Sequence, residues 1–204
     1  SGQYETRPNI SIHFQDKFNG INFDLFSSYT KFVFDKSYNP FDKEKEIKRK
    51  TVEPSLSYSK HFVSSSFSIG IGSDNIRHDT NSLSLDRTSN WLEAEYKIFF
   101  ESKSNESFRS LNPTLKFLKL DADSHPAVSI DSRLMSLNYN NLFLRNWYSG
   151  PDRFLSQDRV ILGIEHQNLG LQNNKNLNLL LGKAFFLDNG YSLDGKNKKT
   201  SPLI

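Results

Sequence analysis

Leu92-Glu93-Ala94-Glu95-Tyr96-Lys97-Ile98 alternates apolar and charged residues one for one. A period of two puts one set on each face of a β-strand, whereas a helix would scatter both sets around its circumference. The pattern recurs in both directions. Upstream, Phe67, Ile69 and Ile71 alternate with Ser66, Ser68 and Gly70; Val52, Pro54, Leu56 and Tyr58 with Glu53, Ser55 and Ser57; Ile21, Phe23 and Leu25 with Asn22 and Asp24; Ile10, Ile12 and Phe14 with Ser11 and His13. Downstream, Leu111, Pro113, Leu115 and Phe117 alternate with Asn112, Thr114 and Lys116, Val160, Leu162 and Ile164 with Gly163 and Glu165, and Leu177 and Leu179 flank Asn178. No helical stretch competes. The expectation is an all-β, antiparallel up-and-down meander of about eight strands. Most run roughly 8–12 residues, enough to cross a bilayer obliquely.

Between these strands the short links fall near residues 16–20, 60–61, 102–107 and 169–175, and the longer ones near 35–50, 73–90, 121–158 and from 188 onward. Short and long alternate, which in a meander gathers the long loops at one rim. Outer-membrane barrels do this; Greek-key sandwiches have no reason to. Pro54 and Pro113 sit within strands, near their beginnings, where a missing N–H is tolerated, and read as marks of a local bulge or twist.

Hydrophobic residues make up 36% of the chain and aromatics 13%, with 17 Phe. A barrel wall needs apolar side chains on one face only, so this composition suits it. A soluble lipocalin-like barrel shows the same period with its apolar side inward. The polar set here is rich in Ser, Asn, Thr and Gly with charges of both signs, which suits a wet lumen better than a solvated exterior. On that reading Glu93, Glu95, Lys97, Asn112 and Lys116 face the lumen.

A net charge of +3, with no basic cluster interleaved with aromatics, gives no footprint for nucleic acid. The chain has no cysteine, so it supplies no disulfide or thiolate metal site. Five scattered histidines lack paired ligand spacing; Asp121, Asp123 and His125, followed by Pro126, read as a turn rather than a metal site. Ser149-Gly150 is not a nucleophile elbow, and Glu93 and Glu95 read as lumen charges rather than a catalytic pair. No catalytic residue and no cofactor is expected. The run Lys43-Glu44-Lys45-Glu46-Ile47-Lys48-Arg49-Lys50 reads as a solvated hairpin tip; its functional alternative is contact with anionic headgroups or sugar phosphates at the outer rim.

The segment from about 121 to 158 is too long and too apolar to be an idle loop, with Leu134-Met135, Leu142-Phe143-Leu144 and Trp147-Tyr148 inside it. It is expected to fold into the lumen, anchored by Gly150, Asp152 and Arg153.

The same segment carries a resemblance. Asn141-Leu142-Phe143-Leu144-Arg145-Asn146-Trp147-Tyr148-Ser149-Gly150-Pro151-Asp152-Arg153-Phe154 resembles the stretch that in the LptD family reads approximately LFR-x-N-R-aromatic-S/G-G-x-DR-I. It follows a strand, Leu111 to Phe117, where that family has T-L-E-P-R, and precedes Gln157 to Ile164, where it has A-N-Q-L-T-L-G. Arg7-Pro8, Val52-Glu53-Pro54-Ser55-Leu56, Phe99-Phe100-Glu101 and Leu181-Gly182-Lys183-Ala184-Phe185-Phe186 follow the family's order across nearly the whole chain. Lys183 departs from the customary Gln, and Ser156-Gln157-Asp158 from the alanine-asparagine step.

The resemblance implies a large outer-membrane barrel, plugged by an LptE-like lipoprotein, that carries lipopolysaccharide to the outer leaflet without breaking a bond in it. Residues 1–204 would then be a partial barrel domain, in contact with membrane lipid outside and lipopolysaccharide within. Both ends of the chain read as cut, so an isolated piece is expected as an open curved sheet with unpaired edges at both ends. A small complete eight-stranded outer-membrane barrel and a lipocalin-like binder are the alternatives.

Overall fold

A computed structural model of the protein describes residues 4–34, 46–80, 83–105, 107–123, 133–150, 156–170, 176–187, 200–201 and 203–204. The strands are β1 (Tyr4–Phe18), β2 (Ile21–Phe34), β3 (Glu46–His61), β4 (Ser65–Asp79), β5 (Ser84–Ile98), β6 (Phe100–Lys103), β7 (Ser107–Ala122), β8 (Gln157–Gly170) and β9 (Asn176–Phe186), with one short helix, α1 (Tyr139–Leu142). They form a single antiparallel sheet in the order β1-β2-β3-β4-β5-β7-β8-β9, and β6 also pairs with β7. Phe99 separates β5 from β6, which together make one row against β7. The nine strands therefore occupy eight rows, one for each expected crossing.

The strands are longer than the alternation indicated, and two expected loops shrink as a result. The link expected at 73–90 is strand on both sides of residues 80–83, and the link expected at 35–50 gives way to β3 at Glu46. Polarity misleads there. Cross-strand partners neutralise the charges, with Lys31 and Glu46 2.5 Å apart and Lys50 and Asp79 3.3 Å apart. Ile47, in the middle of the charged run, is buried. Glu46 to Lys50 thus belongs to a strand and not to a hairpin tip; residues 43–45 lie outside the described residues. At the opposite rim the turns stay tight. Asn19-Gly20, with φ of 49° and 83°, closes β1–β2 in the left-handed geometry that matches strand twist.

The prolines also sit differently from the expectation, deep inside β3 and β7. Each stands where the ladder is interrupted. Pro54 pairs with Leu25 on one side, while the β3–β4 register skips from Val52↔Asn75 to Ser55↔Gly72 on the other. Pro113 lies between the stretch of β7 paired with β6 and the stretch paired with β5. A residue without an N–H is tolerated where no donor is needed.

Register sorts the side chains into two faces. Ile12, Phe14, Phe23, Leu56, Ile71, Leu115, Leu162, Ile164 and Leu181 share one face and are all exposed, Ile12 to 68%. The rows are continuous: Phe23↔Leu56, Leu56↔Ile71 and Ile71↔Leu92 join β2 to β5, and Leu115↔Leu162 and Ile164↔Leu181 join β7 to β9. This is the outer face. The apolar rows stay exposed and enclose no dry centre, so the lipocalin-like arrangement is overturned.

Among the described residues β1 and β9 do not pair with each other, so the sheet is open and is not a small closed barrel. The far edge of β9 is not bare, which departs from the expectation of two unpaired edges. Gly182 and Ile204 exchange backbone hydrogen bonds of 2.7 and 3.0 Å, and Ser201 N–H donates to Ala184 at 2.9 Å.

Candidate functional site on the inner face

The loop after β7 returns over the inner face. Residues Leu134 and Tyr148 form an antiparallel bridge, with Met135 N–H donating to the Trp147 carbonyl and Ser149 N–H to the Arg133 carbonyl, each at 2.9 Å. Between them α1 is capped by the Asn138 side chain, which accepts from Asn141 N–H at 2.9 Å. One turn of helix is unstable alone. Packing against the sheet holds it: Leu142 and Trp147 are fully buried with Ile161, Ala184 and Phe186.

Two residues of β8 show how the sequence makes room. Gly163 lies beneath Phe143 and Tyr139, and a Cβ there would collide with the Phe143 ring. On the same face Arg159 stacks on Trp147, 4.3 Å from its ring centre, and donates to the carbonyls of Leu144 and Arg145. Trp147 meets Phe186 edge-on at 5.9 Å. A buried guanidinium is costly unless it is hydrogen-bonded and stacked, and the loop supplies both kinds of partner.

Arg145 fastens the loop to the opposite side. Its guanidinium lies 4.1 Å over the Trp91 ring and 3.5 Å from the Asp74 carboxylate, spanning from the loop to β4 and β5. Trp91 itself lies flat over Gly72, where a side chain would strike the indole. The loop is therefore held from both flanks, by Arg159 and Trp147 on β8–β9 and by Arg145 on β4–β5. None of these anchors was expected from sequence. Of the expected ones, Gly150 accepts from the Asn146 amide at 3.5 Å, while Asp152 and Arg153 lie outside the described residues.

Away from the loop the inner face mixes ion pairs with buried apolar side chains, Phe32, Ile47 and Ile76 on β2–β4 and Leu118 and Leu120 on β7. Lys116 pairs with Glu93 at 3.0 Å and Lys97 with Glu165 at 3.2 Å. Glu95 lies opposite Lys116 in the register and Asn112 opposite Glu165. Glu93, Glu95, Lys97, Asn112 and Lys116 thus share the inner face. Burial, then Glu165 and Glu95, raises the Tyr139 phenol above its ordinary value, so α1 presents a neutral hydroxyl to these charges. An open groove of about 700 Å³ continues across β1–β5, lined by Gln15, Asp24, Ser55, Ser57, Glu93 and Arg145. Beneath the loop the inner face is apolar and dry.

Long antiparallel strands, apolar outside, polar inside, with a loop laid over the inner face, make up the wall of an outer-membrane β-barrel protein. A family model described as LPS transport system D matches residues 2–204, and the chain belongs to this LptD family. No curated protein matches the chain. Members assemble lipopolysaccharide into the outer membrane, where they reside, and are transport proteins without enzymatic activity.

Proposed function

We propose that residues 1–204 form part of the transmembrane wall of an LptD barrel, with the loop of residues 133–150 lying in the lumen as a fixed lining element. The outer apolar rows contact membrane lipid. The polar inner rows around Glu93, Glu95, Lys97, Asn112 and Lys116 face the aqueous lumen, where they meet an LptE-like lipoprotein plug and the sugars and phosphates of lipopolysaccharide. One observation carries this reading: apolar rows from β1 to β9 stand exposed on one face, while the other carries ion pairs on β5, β7 and β8 and a loop laid over it. In water that exposure would be a liability; in a bilayer it is the stable arrangement.

Mixed charge suits this role. Lys97–Glu165 is exposed enough to exchange partners with a passing phosphate or hydroxyl at modest cost, as partly solvated ion pairs contribute little to stability, while Lys116 is buried and holds Glu93 in place. Because the chain lacks cysteine, single cysteines at positions 97 and 112 can be crosslinked with no background from the chain itself. In cells they are expected to crosslink to the lipoprotein plug or to lipopolysaccharide, whereas a cysteine at position 162 is not. Crosslinks from position 162 with none from 97 or 112 overturn the proposal.

A further inference from the structure

The outer face of β2–β4 changes character along its length in a way the transport reading does not use. Toward the rim of the longer loops, two successive rows cross the three strands: Lys31↔Lys48 with Lys48↔Asp79, then Tyr29↔Lys50 with Lys50↔Arg77. Each row sets two cations directly opposite one another, an arrangement that destabilises a sheet. Glu46, Asp79 and Asp86 offset part of the repulsion: Glu46 pairs with Lys31 and Lys48, Asp79 with Lys50 and Arg77, and Asp86 approaches Arg77 at 3.8 Å. Four cations still face three carboxylates, and Lys48, Lys50 and Arg77 remain about half exposed, at 46, 54 and 51%.

The next outer-face row runs Ser27, Val52, Asn75 and Thr88, hydrogen-bonding at every position but Val52. Asn75 donates to Ser73 at 3.3 Å and Thr88 to Asn75 at 3.2 Å. Beyond them the surface turns apolar, and a shallow groove of about 310 Å³ opens between Phe23, Pro54, Leu56 and Ile71. Pro54 creates this groove, because the ladder to β4 is interrupted beside it. Cations, amides and hydroxyls, and an apolar groove thus follow one another along about 20 Å of strand from Lys50 to Leu56.

We propose that this strip binds one outer-leaflet lipopolysaccharide on the outside of the wall, as a resident lipid distinct from molecules carried through the lumen. Its phosphates meet Lys48, Lys50 and Arg77, its glucosamine sugars meet the Ser73–Asn75 row, and an acyl chain lies in the Pro54 groove. Charge, hydrogen bonding and hydrophobicity match that amphiphile in order. A glycerophospholipid has a single phosphate and no sugar to fill the middle zone. On β7–β8 the row that continues Leu56↔Ile71↔Leu92 sets Lys119 opposite Asp158, one cation against one carboxylate, so among the described residues the paired cations are confined to β2–β4. The site rests on the membrane orientation proposed above, and not on any lumen contact.

The test uses the full protein with its partners, purified and reconstituted in phosphatidylcholine nanodiscs. It is titrated with bisphosphorylated lipid A, with the same lipid dephosphorylated, and with phosphatidylglycerol, and bound lipid is counted by native mass spectrometry. Bisphosphorylated lipid A is expected to bind best, and Lys48→Gln with Lys50→Gln to weaken it about tenfold through loss of charge-assisted contacts. Lys48→Arg with Lys50→Arg is expected to restore binding, which excludes a folding defect. Equal binding of phosphatidylglycerol, or a double Gln variant that binds like the parent, overturns the site. Crosslinking from positions 97 and 112 is unaffected in either case, so loss of those crosslinks with lipid A still bound refutes only the lumen reading.

Discussion

Ile161 and Leu162 are neighbours in β8, yet one is fully buried and the other 47% exposed. Ile161 points at the loop and packs with Trp147, Leu142 and Ala184; Leu162 points away and joins Leu115 in a row that nothing covers. In a water-soluble sheet the buried face would be the apolar one throughout. Here apolar rows stand exposed along one face, and the covered face mixes buried apolar side chains with ion pairs. Exposure on one side and burial on the other therefore report different media, lipid against a wet lumen partly filled by the protein's own loop.

The comparison breaks most severely at the loop. Trp147→Ala removes the side chain that meets both Phe186 and Arg159, and should cost about 3–5 kcal/mol of loop docking, as large aromatic truncations do. Limited proteolysis should then cut within residues 133–150 while leaving the sheet intact. Gly163→Val should produce the same cleavage by a different route, since its side chain takes the place of Phe143.

On the other face the expected effect is smaller. Leu162→Arg should destabilise the membrane-inserted state by about 2–4 kcal/mol, the cost of a cation near the midplane, measured by reversible unfolding in lipid vesicles. Leu162→Phe should leave it unchanged within error, and an effect as large as that of Arg would show that packing, not lipid, surrounds the site. Smallest is Arg145→Lys. It keeps the charge beside Asp74 but loses the flat stack on Trp91, for about 1 kcal/mol of looser loop, read by hydrogen exchange at residues 140–148.

Much of the architecture was legible because period two is written into eight separate stretches, from Ile10 to Leu179. Strand ends were not, since Glu46 to Lys50 and Ser73 to Asn90 look like loops until their partners are known. Lys50 is a strand residue because Tyr29 and Arg77 flank it, and neither is close in sequence. The prolines did mark local irregularities, as the gaps in the ladder beside Pro54 and Pro113 show, but not strand beginnings, because the strands run further back than the alternation. At the site, the polar row from Glu93 to Lys97 could be assigned a face by alternation alone. The anchors could not. Arg145 reaches Asp74 across 71 residues, and nothing local distinguishes it from any other loop arginine. Gly72 and Gly163 were the available clue, because glycine inside a strand marks where another group must come close.

The most direct test places single cysteines along β8 at positions 162, 164, 165 and 167, labels each with a fluorophore and reconstitutes the protein in bilayers whose acyl chains carry a nitroxide quencher. Quenching should follow the face, strong at 162 and 164 and weak at 165 and 167. Uniform quenching, or the opposite pattern, would mean that lipid does not lie against the face bearing Leu162 and Ile164, and the account of this wall would be wrong.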